Sequence, residues 1–177
     1  MARADLKVIG PAAIWQRYLV SGGTSIQAGE PVHGLATSSG GIATDNTFVL
    51  AAADTPIIGT HRFGGVANEP SDNNTAATPV TLEQFLNCAI PVPNVGRIRG
   101  KAETAASVDT LTELGLIIQD FVLIDYSATG ASDGGQLYTI KEVASADTSG
   151  LEIVGGNTGL QTLDVVVDAR AYRLDVT

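Results

Sequence analysis

The stretch Ile26–Leu35, IQAGEPVHGL, decides how the rest of the chain is read. It joins an Ala-Gly pair to Glu30-Pro31-Val32 and then to one of the two histidines. Ala28-Gly29 suits a tight turn, because glycine reaches positive φ without steric cost. Pro31 has no N–H for a sheet ladder, so it belongs at the start of a strand at a sheet edge. Val32 and Leu35 would point to opposite sides of a regular strand, which makes Gly34 the expected bulge or close contact. His33 is a candidate for chemistry only if other residues converge on it. The stretch therefore reads first as the point where a β-sheet folds back.

The neighbouring sequence extends that pattern. PVHGLAT, TFVLAA and PIIGTHRFGGVA are short apolar runs separated by SSGG and Ala-Asp-Thr. Short strands with glycine-rich punctuation predict a small antiparallel sandwich or barrel. NEPSDNNTAAT (Asn68–Thr78) reads as an exposed loop. Thr81–Asn87 reads as one helical turn or an irregular edge. Alternation through Val95, Arg97, Ile98, Arg99 and Lys101 predicts a half-exposed strand, with two prolines placing its start at an edge. Ser107–Gln119 is the best helix candidate: Ser107 or Asp109 can cap it, and Leu111, Leu114 and Ile118 fall at helical spacing. Gly115 weakens that helix. Phe121–Ser127 and Gln136–Val143 form a hairpin around the turn-rich ATGASDGG; Leu151–Val154 and Leu163–Tyr172 are further strands separated by GGNTG. The last of these carries apolar residues on both faces, as a strand buried on both sides or at a subunit contact would.

The expected fold is mainly β: small antiparallel β-barrel or sandwich subdomains, one short helix and an extended N-terminal arm. Residues 1–25 form the arm, 26–89 a β subdomain and 90–177 a β-barrel subdomain with the helix. No repeat appears at the periods of solenoids or propellers.

Composition narrows the function. The 177 residues are 44% apolar, 16% charged and 5% aromatic, with 20 glycines. Such a chain can bury a core, and its turns suit an all-β protein. The net charge of −9 disfavours direct nucleic-acid binding, which needs Lys/Arg surfaces. From Ser107 onward eleven acids face only Lys141, Arg170 and Arg173. The basic cluster Arg97, Arg99, Lys101 reads as a solvated strand face or as partners for nearby acids. The N-terminal segment lacks the apolar core of a secretory signal, and no stretch approaches the ~18 apolar residues of a membrane-spanning helix. The expectation is a soluble protein made in a cytoplasm, with no membrane partner.

The motifs of catalysis are missing from the sequence. His33 and His61 are too far apart for a short-spaced zinc pair, and the acidic stretches do not follow an EF-hand pattern. Neither SSGGI nor IVGGNTG continues into a phosphate-binding motif, and there is no GxSxG elbow. Cys88, the single cysteine, sits in FLNCAIPV and reads as a small buried hydrophobe. The sequence thus points to a binding or structural protein, not an enzyme, with no cofactor and no metal. A biotinyl or lipoyl carrier would need a hairpin lysine, and no lysine lies between Lys7 and Lys101.

Taken together, IQAGEPVHGLAT, ADTPIIGTHRFGGVA, IPVPNVGRIRGKAE, FVLIDYSATG and LYTI resemble segments of the head decoration, or capsid cement, proteins of tailed bacteriophages. The resemblance implies a homotrimer on the outer face of a virion capsid, clamping neighbouring major capsid subunits against the pressure of packaged DNA. It implies no catalytic residues. Trp15, the lone tryptophan, reads as a core residue ahead of an interface one; on the resemblance, Trp15, Arg17 and Tyr18 become the candidate capsid-binding anchors, since large aromatic and arginine side chains dominate interface energetics. On this reading the arm is the clamp, and residues 1–14 could be deleted without unfolding the protein. The alternative is a virion-displayed β-sandwich module that binds host surfaces or glycans.

Overall fold

The computed structural model describes residues 6–10, 13–20, 28–35, 47–50, 61–69, 85–104, 108–126, 138–143 and 149–172. The chain is mainly β, with eleven described strands and one α-helix. The strands are β1 (Lys7–Ile9), β2 (Ala13–Val20), β3 (Pro31–Leu35), β4 (Thr47–Leu50), β5 (His61–Ala67), β6 (Phe85–Pro91), β7 (Arg97–Lys101), β8 (Phe121–Tyr126), β9 (Tyr138–Val143), β10 (Leu151–Asn157) and β11 (Thr162–Val167). Helix α1 (Leu111–Ile117) lies between β7 and β8, and a 3₁₀ turn (Ala169–Tyr172) follows β11. The expected loops at 70–78 and 127–135, and residues 81–84, lie outside the described residues.

Strands β2, β4, β3, β5 and β6 pair in that order into a closed ring. Four of the five pairings are antiparallel; the closing one, β2 with β4, is parallel. A second sheet runs β1-β7-β11-β10-β8-β9, antiparallel throughout. It curls until β9 meets the end of β7, where Ala102 and Ile140 form a parallel bridge. That bridge brings the outer edge of β9 against the end of β7, while β1 forms the other end of the sheet.

The two rings have one topology. Starting at Trp15, pairing steps lead to Ala89, Val66 and Pro31; from the next residue, Val32, to Leu50; and from Phe48 back to Val20. Starting at Arg97, the matching steps lead to Val166, Glu152 and Phe121; from Val122 to Glu142; and from Ile140 back to Ala102. Trp15 to Val20 and Arg97 to Ala102 are the same displacement, so both rings close with the same stagger, the quantity that with strand number sets barrel shape. Three inward positions agree, while the counterpart of Ile98 (0% exposed) is Gln16, which is exposed. Val32 and Val122 are each 0% exposed, as are Cys88 and Val165, and Ala67 (3%) matches Ile153 (0%). The sequence shows no trace of this duplication because β-ladder register, not residue identity, is what the two halves share.

The opening stretch turns out differently in detail. Gly29 has φ +87, as the turn requires. β3, however, is flanked by β4 and β5, so Pro31 starts an interior strand; as first residue it forgoes only one ladder bond. The bulge lies not at Gly34 but across from Val32 and His33, where β5 carries an extra residue at Gly64-Gly65. Gly65 adopts φ +103, and a Cβ there would stand 2.5 Å from the Ala89 carbonyl oxygen. β7 is likewise interior, between β1 and β11, despite its preceding prolines. Phe85–Asn87, expected as a helical turn or irregular edge, opens a regular strand that pairs with β2 from Leu19 back to Ala13. Gly155 and Gly156, expected in a loop, are inside β10, where the register shifts after Ile153.

The helix is shorter than expected and is capped by Thr110, not Ser107 or Asp109. Thr110 Oγ1 accepts from the Glu113 N–H at 3.2 Å, and the Glu113 carboxylate accepts from the Thr110 N–H, a reciprocal capping box. Its buried face is Leu114 and Ile117, with Val108 beneath; Leu111 (79% exposed) and Ile118 (42%) face solvent. The helix covers one end of the second ring, and the Gln119 N–H reaches the Ile153 carbonyl at 2.9 Å.

The start of the chain is built into both rings. β1 pairs with β7 through Lys7–Arg99, Val8–Ile98 and Ile9–Arg97. Leu6 is 3% exposed, packs in the core of the second ring, and donates its N–H to the Gly29 carbonyl. Residues Ala13–Val20, expected within an arm, are the first strand of the first ring. Deleting residues 1–14 would therefore cut the core and β2, unlike the clean removal anticipated from the sequence. Between the rings, the Tyr172 hydroxyl donates to the Pro91 carbonyl at 2.7 Å, and its ring lies 5.8 Å from Phe63. Phe63 and Val66 on the outside of the first ring complete the core of the second.

Two predictions follow from the packing. Gly115 is exposed and an added Cβ would touch nothing, so Gly115→Ala should stabilise the helix by about 1 kcal/mol and raise the melting temperature by ~3 °C in a thermal scan. Arg99 grips Asp164 with two bonds, Nε–Oδ1 at 2.6 Å and Nη2–Oδ2 at 2.7 Å, and the Asp164 side chain is only 7% exposed. Arg99→Ala should cost about 2 kcal/mol in urea unfolding by orphaning that carboxylate. Adding Asp164→Leu to Arg99→Met should recover most of the loss.

Candidate binding surface

The functional reading rests on β2, where Ile14, Trp15 and Gln16 are exposed in succession, on both faces of the strand. Trp15 is 61% exposed and Ile14 is 52% exposed. For the only tryptophan of the chain, that exposure replaces the default expectation of core packing with a surface role. β2 holds Trp15 rigidly, because the strand pairs with β6 over its whole length from Ala13 to Leu19, with Trp15 opposite Ala89. Trp15 and Ala13 line a cleft of about 650 Å³ with Val66, Ala89 and the arm residues Leu6 and Val8. Small and apolar side chains share its lining with Lys7 and Asn68, so an entering side chain would meet both apolar surface and polar groups.

Of the other candidate anchors, the register places Arg17 opposite Asn87 and Tyr18 opposite Leu86 on the same strand; their side chains lie outside the described residues. Thus Trp15, Arg17 and Tyr18 share one strand beside one ring. Sequence reasoning missed Ile14, which adjoins Trp15. Its signal was weak because an isoleucine in a β-run normally reads as core.

The residues considered for chemistry are scattered or engaged elsewhere. The register sets His33 against Phe63 and His61 against Leu35, with both side chains outside the described residues. Among the described residues no group of three or more His, Cys, Asp or Glu could hold a metal ion. Cys88 is fully buried inside the first ring, and burial, aided by the nearby Glu69 charge, pushes its thiol up to about 12. A thiol held neutral at ordinary pH is a poor nucleophile. In the basic cluster, Arg99 is committed to Asp164, while Arg97 is exposed on the outer wall. Nearby, Lys141 bonds Glu103 at 3.3 Å. No described helix is long and apolar enough to cross a membrane.

Comparison with protein-family models and with curated protein sequences finds no match to this chain.

Burial of Cys88 yields a direct chemical test. In the folded protein at pH 8 the thiol should not react with an aromatic disulfide reagent over minutes, and should react at once in denaturant. Prompt reaction of the native protein would show that the first ring opens or that the thiol is accessible.

Proposed function

We propose that this protein is a structural component of a tailed-phage particle that binds the outer surface of the capsid and stabilises it by bridging major capsid subunits. The observation that carries this reading is the exposed Ile14–Trp15 pair, held on a ring strand where Trp15 also lines a cleft. A large aromatic side chain kept in water on a fixed strand is the usual form of an interface anchor. The two-ring body supports the same reading: it is small and cross-braced by β1, Leu6 and the Tyr172–Pro91 bond. The resemblance of IQAGEPVHGLAT and its companion segments to capsid cement proteins supplies the partner. In that role the protein acts as a homotrimer on the virion exterior, where three weak contacts made together gain affinity through effective concentration.

The test uses capsids made with and without the protein. Capsids carrying it should co-sediment with it and withstand heating to a higher temperature before releasing DNA. Trp15→Ala should leave the melting temperature of the isolated protein nearly unchanged and weaken capsid binding at least tenfold, about 1.4 kcal/mol. Equal heat resistance of decorated and undecorated capsids would remove the stabilising role.

A further inference from the structure

Four of the chain's ten cations stand on two neighbouring strands of the second sheet. Val8, Ile98 and Gly100 take the inward positions of β1 and β7, so Lys7, Arg97, Arg99 and Lys101 share the outer face. Lys7 lies directly across from Arg99, and Arg97 and Lys101 lie two residues to either side of it. Facing residues of an antiparallel pair stand about 5 Å apart and alternate residues of one strand about 7 Å, so the four form one cluster. Arg99 is committed to Asp164. Lys7, Arg97 and Lys101 form no ion pair with any described residue, and Lys7 and Arg97 are exposed. Like charges held this close repel one another, so the sheet keeps the cluster together at a cost.

The cluster is continuous with the Trp15 surface. Lys7 lines the same cleft as Ala13 and Trp15, and β1 carries the connection from there to β7. An exposed tryptophan flanked by unpaired cations has the layout of an interface with an apolar anchor and a charged rim. We infer that the outer face of β1 and β7, at Lys7, Arg97 and Lys101, receives an acidic patch of the capsid subunit, in the same contact that covers Trp15. The identity of the partner rests on the function proposed above; its acidic chemistry rests on the charge cluster.

The cluster also sets orientation. Outside these four residues, six cations stand against nineteen acids, a balance that repels an acidic partner. Such a partner is attracted only where the cations gather, so the protein docks by the β1–β7 face and turns its acidic side away. On the partner, the matching surface carries carboxylates beside an apolar side chain that packs on Trp15. Continuity with Trp15 favours the capsid subunit over a second copy, since one partner then covers both features.

Carbodiimide coupling on decorated capsids, which joins an amine directly to a carboxylate, tests this in place. The chain's lysines are Lys7, Lys101 and Lys141, and Lys141 already bonds Glu103. Mass spectrometry should find Lys7 or Lys101 joined to an aspartate or glutamate of the major capsid protein. Links from these two lysines only to acids of the same chain, or of a second copy, would overturn the inference and leave the capsid role standing. Capsid binding should weaken at least tenfold as salt rises from about 0.05 M to about 0.5 M, where screening shortens to a few ångströms. Arg97→Gln combined with Lys101→Gln should keep the melting temperature, weaken binding at least tenfold at the lower salt and flatten the salt dependence. Thr112→Glu combined with Leu160→Glu, at exposed positions and with the same change in net charge, should bind as the unaltered protein does. Equal weakening by the two pairs would mean that overall charge decides, and would overturn the directed face, as would capsid binding indifferent to salt. Absence of any capsid binding by the unaltered protein would overturn both this inference and the capsid role.

Discussion

Everything in this structure depends on closing a five-stranded ring. A strand edge left open exposes unpaired N–H and C=O groups, and a small sheet with low aromatic content has little else with which to resist opening. Each ring solves the problem with one parallel contact at the end of its first strand: Leu19 and Val20 with β4, and Ala102 with Ile140. Those contacts fix the stagger of all five strands. The stagger in turn determines which residues point inward, so Val32, Cys88 and Ala67 meet inside one ring as Val122, Val165 and Ile153 do inside the other. A slip of one residue at either closure would turn the apolar set outward.

The rings are then coupled rather than merely linked. Leu6 and β1 reach from the second core to the turn at Gly29. Phe63 and Val66 reach the other way, and Tyr172 bridges to Pro91. A Cβ at Gly100 would stand 2.5 Å from Leu6 Cδ2 and 3.1 Å from Ile140 Cδ1, so Leu6, β7 and β9 pack closely where they converge. This coupling makes the segment ahead of β2 a structural strap.

In the candidate site the sequence marked residues but not their setting: a lone tryptophan reads as core by default, and Trp15 is exposed. Trp15, Arg17 and Tyr18 were chosen as large side chains near one end of the chain; the structure supplies exposure for Trp15 and a common rigid strand for all three. Local rules found the hairpin of β8 and β9, the strand β7 and the positive φ of Gly29, because each depends on neighbours in sequence. They misplaced the bulge and the helix cap. Gly34 and Gly64 look alike as sequence, but only the ring geometry around Ala89 demands the extra residue in β5. Thr110 outcompetes Asp109 and Ser107 because burying Leu114, Ile117 and Val108 together sets where the first turn must begin.

By itself, the sequence determined a mainly β chain with one short helix, a buried thiol at Cys88 and an acidic surface, since alternation, glycine spacing and charge are local quantities. The tertiary structure alone decided that the strands form two rings of one topology, that Pro31 begins an interior strand, that Gly155 and Gly156 lie in one, and that the only tryptophan faces water. The physical reason is that register is set by pairing between residues far apart in the chain. Trp15 pairs with Ala89, far along the chain, and stands in water together with Ile14 and Gln16, an arrangement no window of sequence around Trp15 contains.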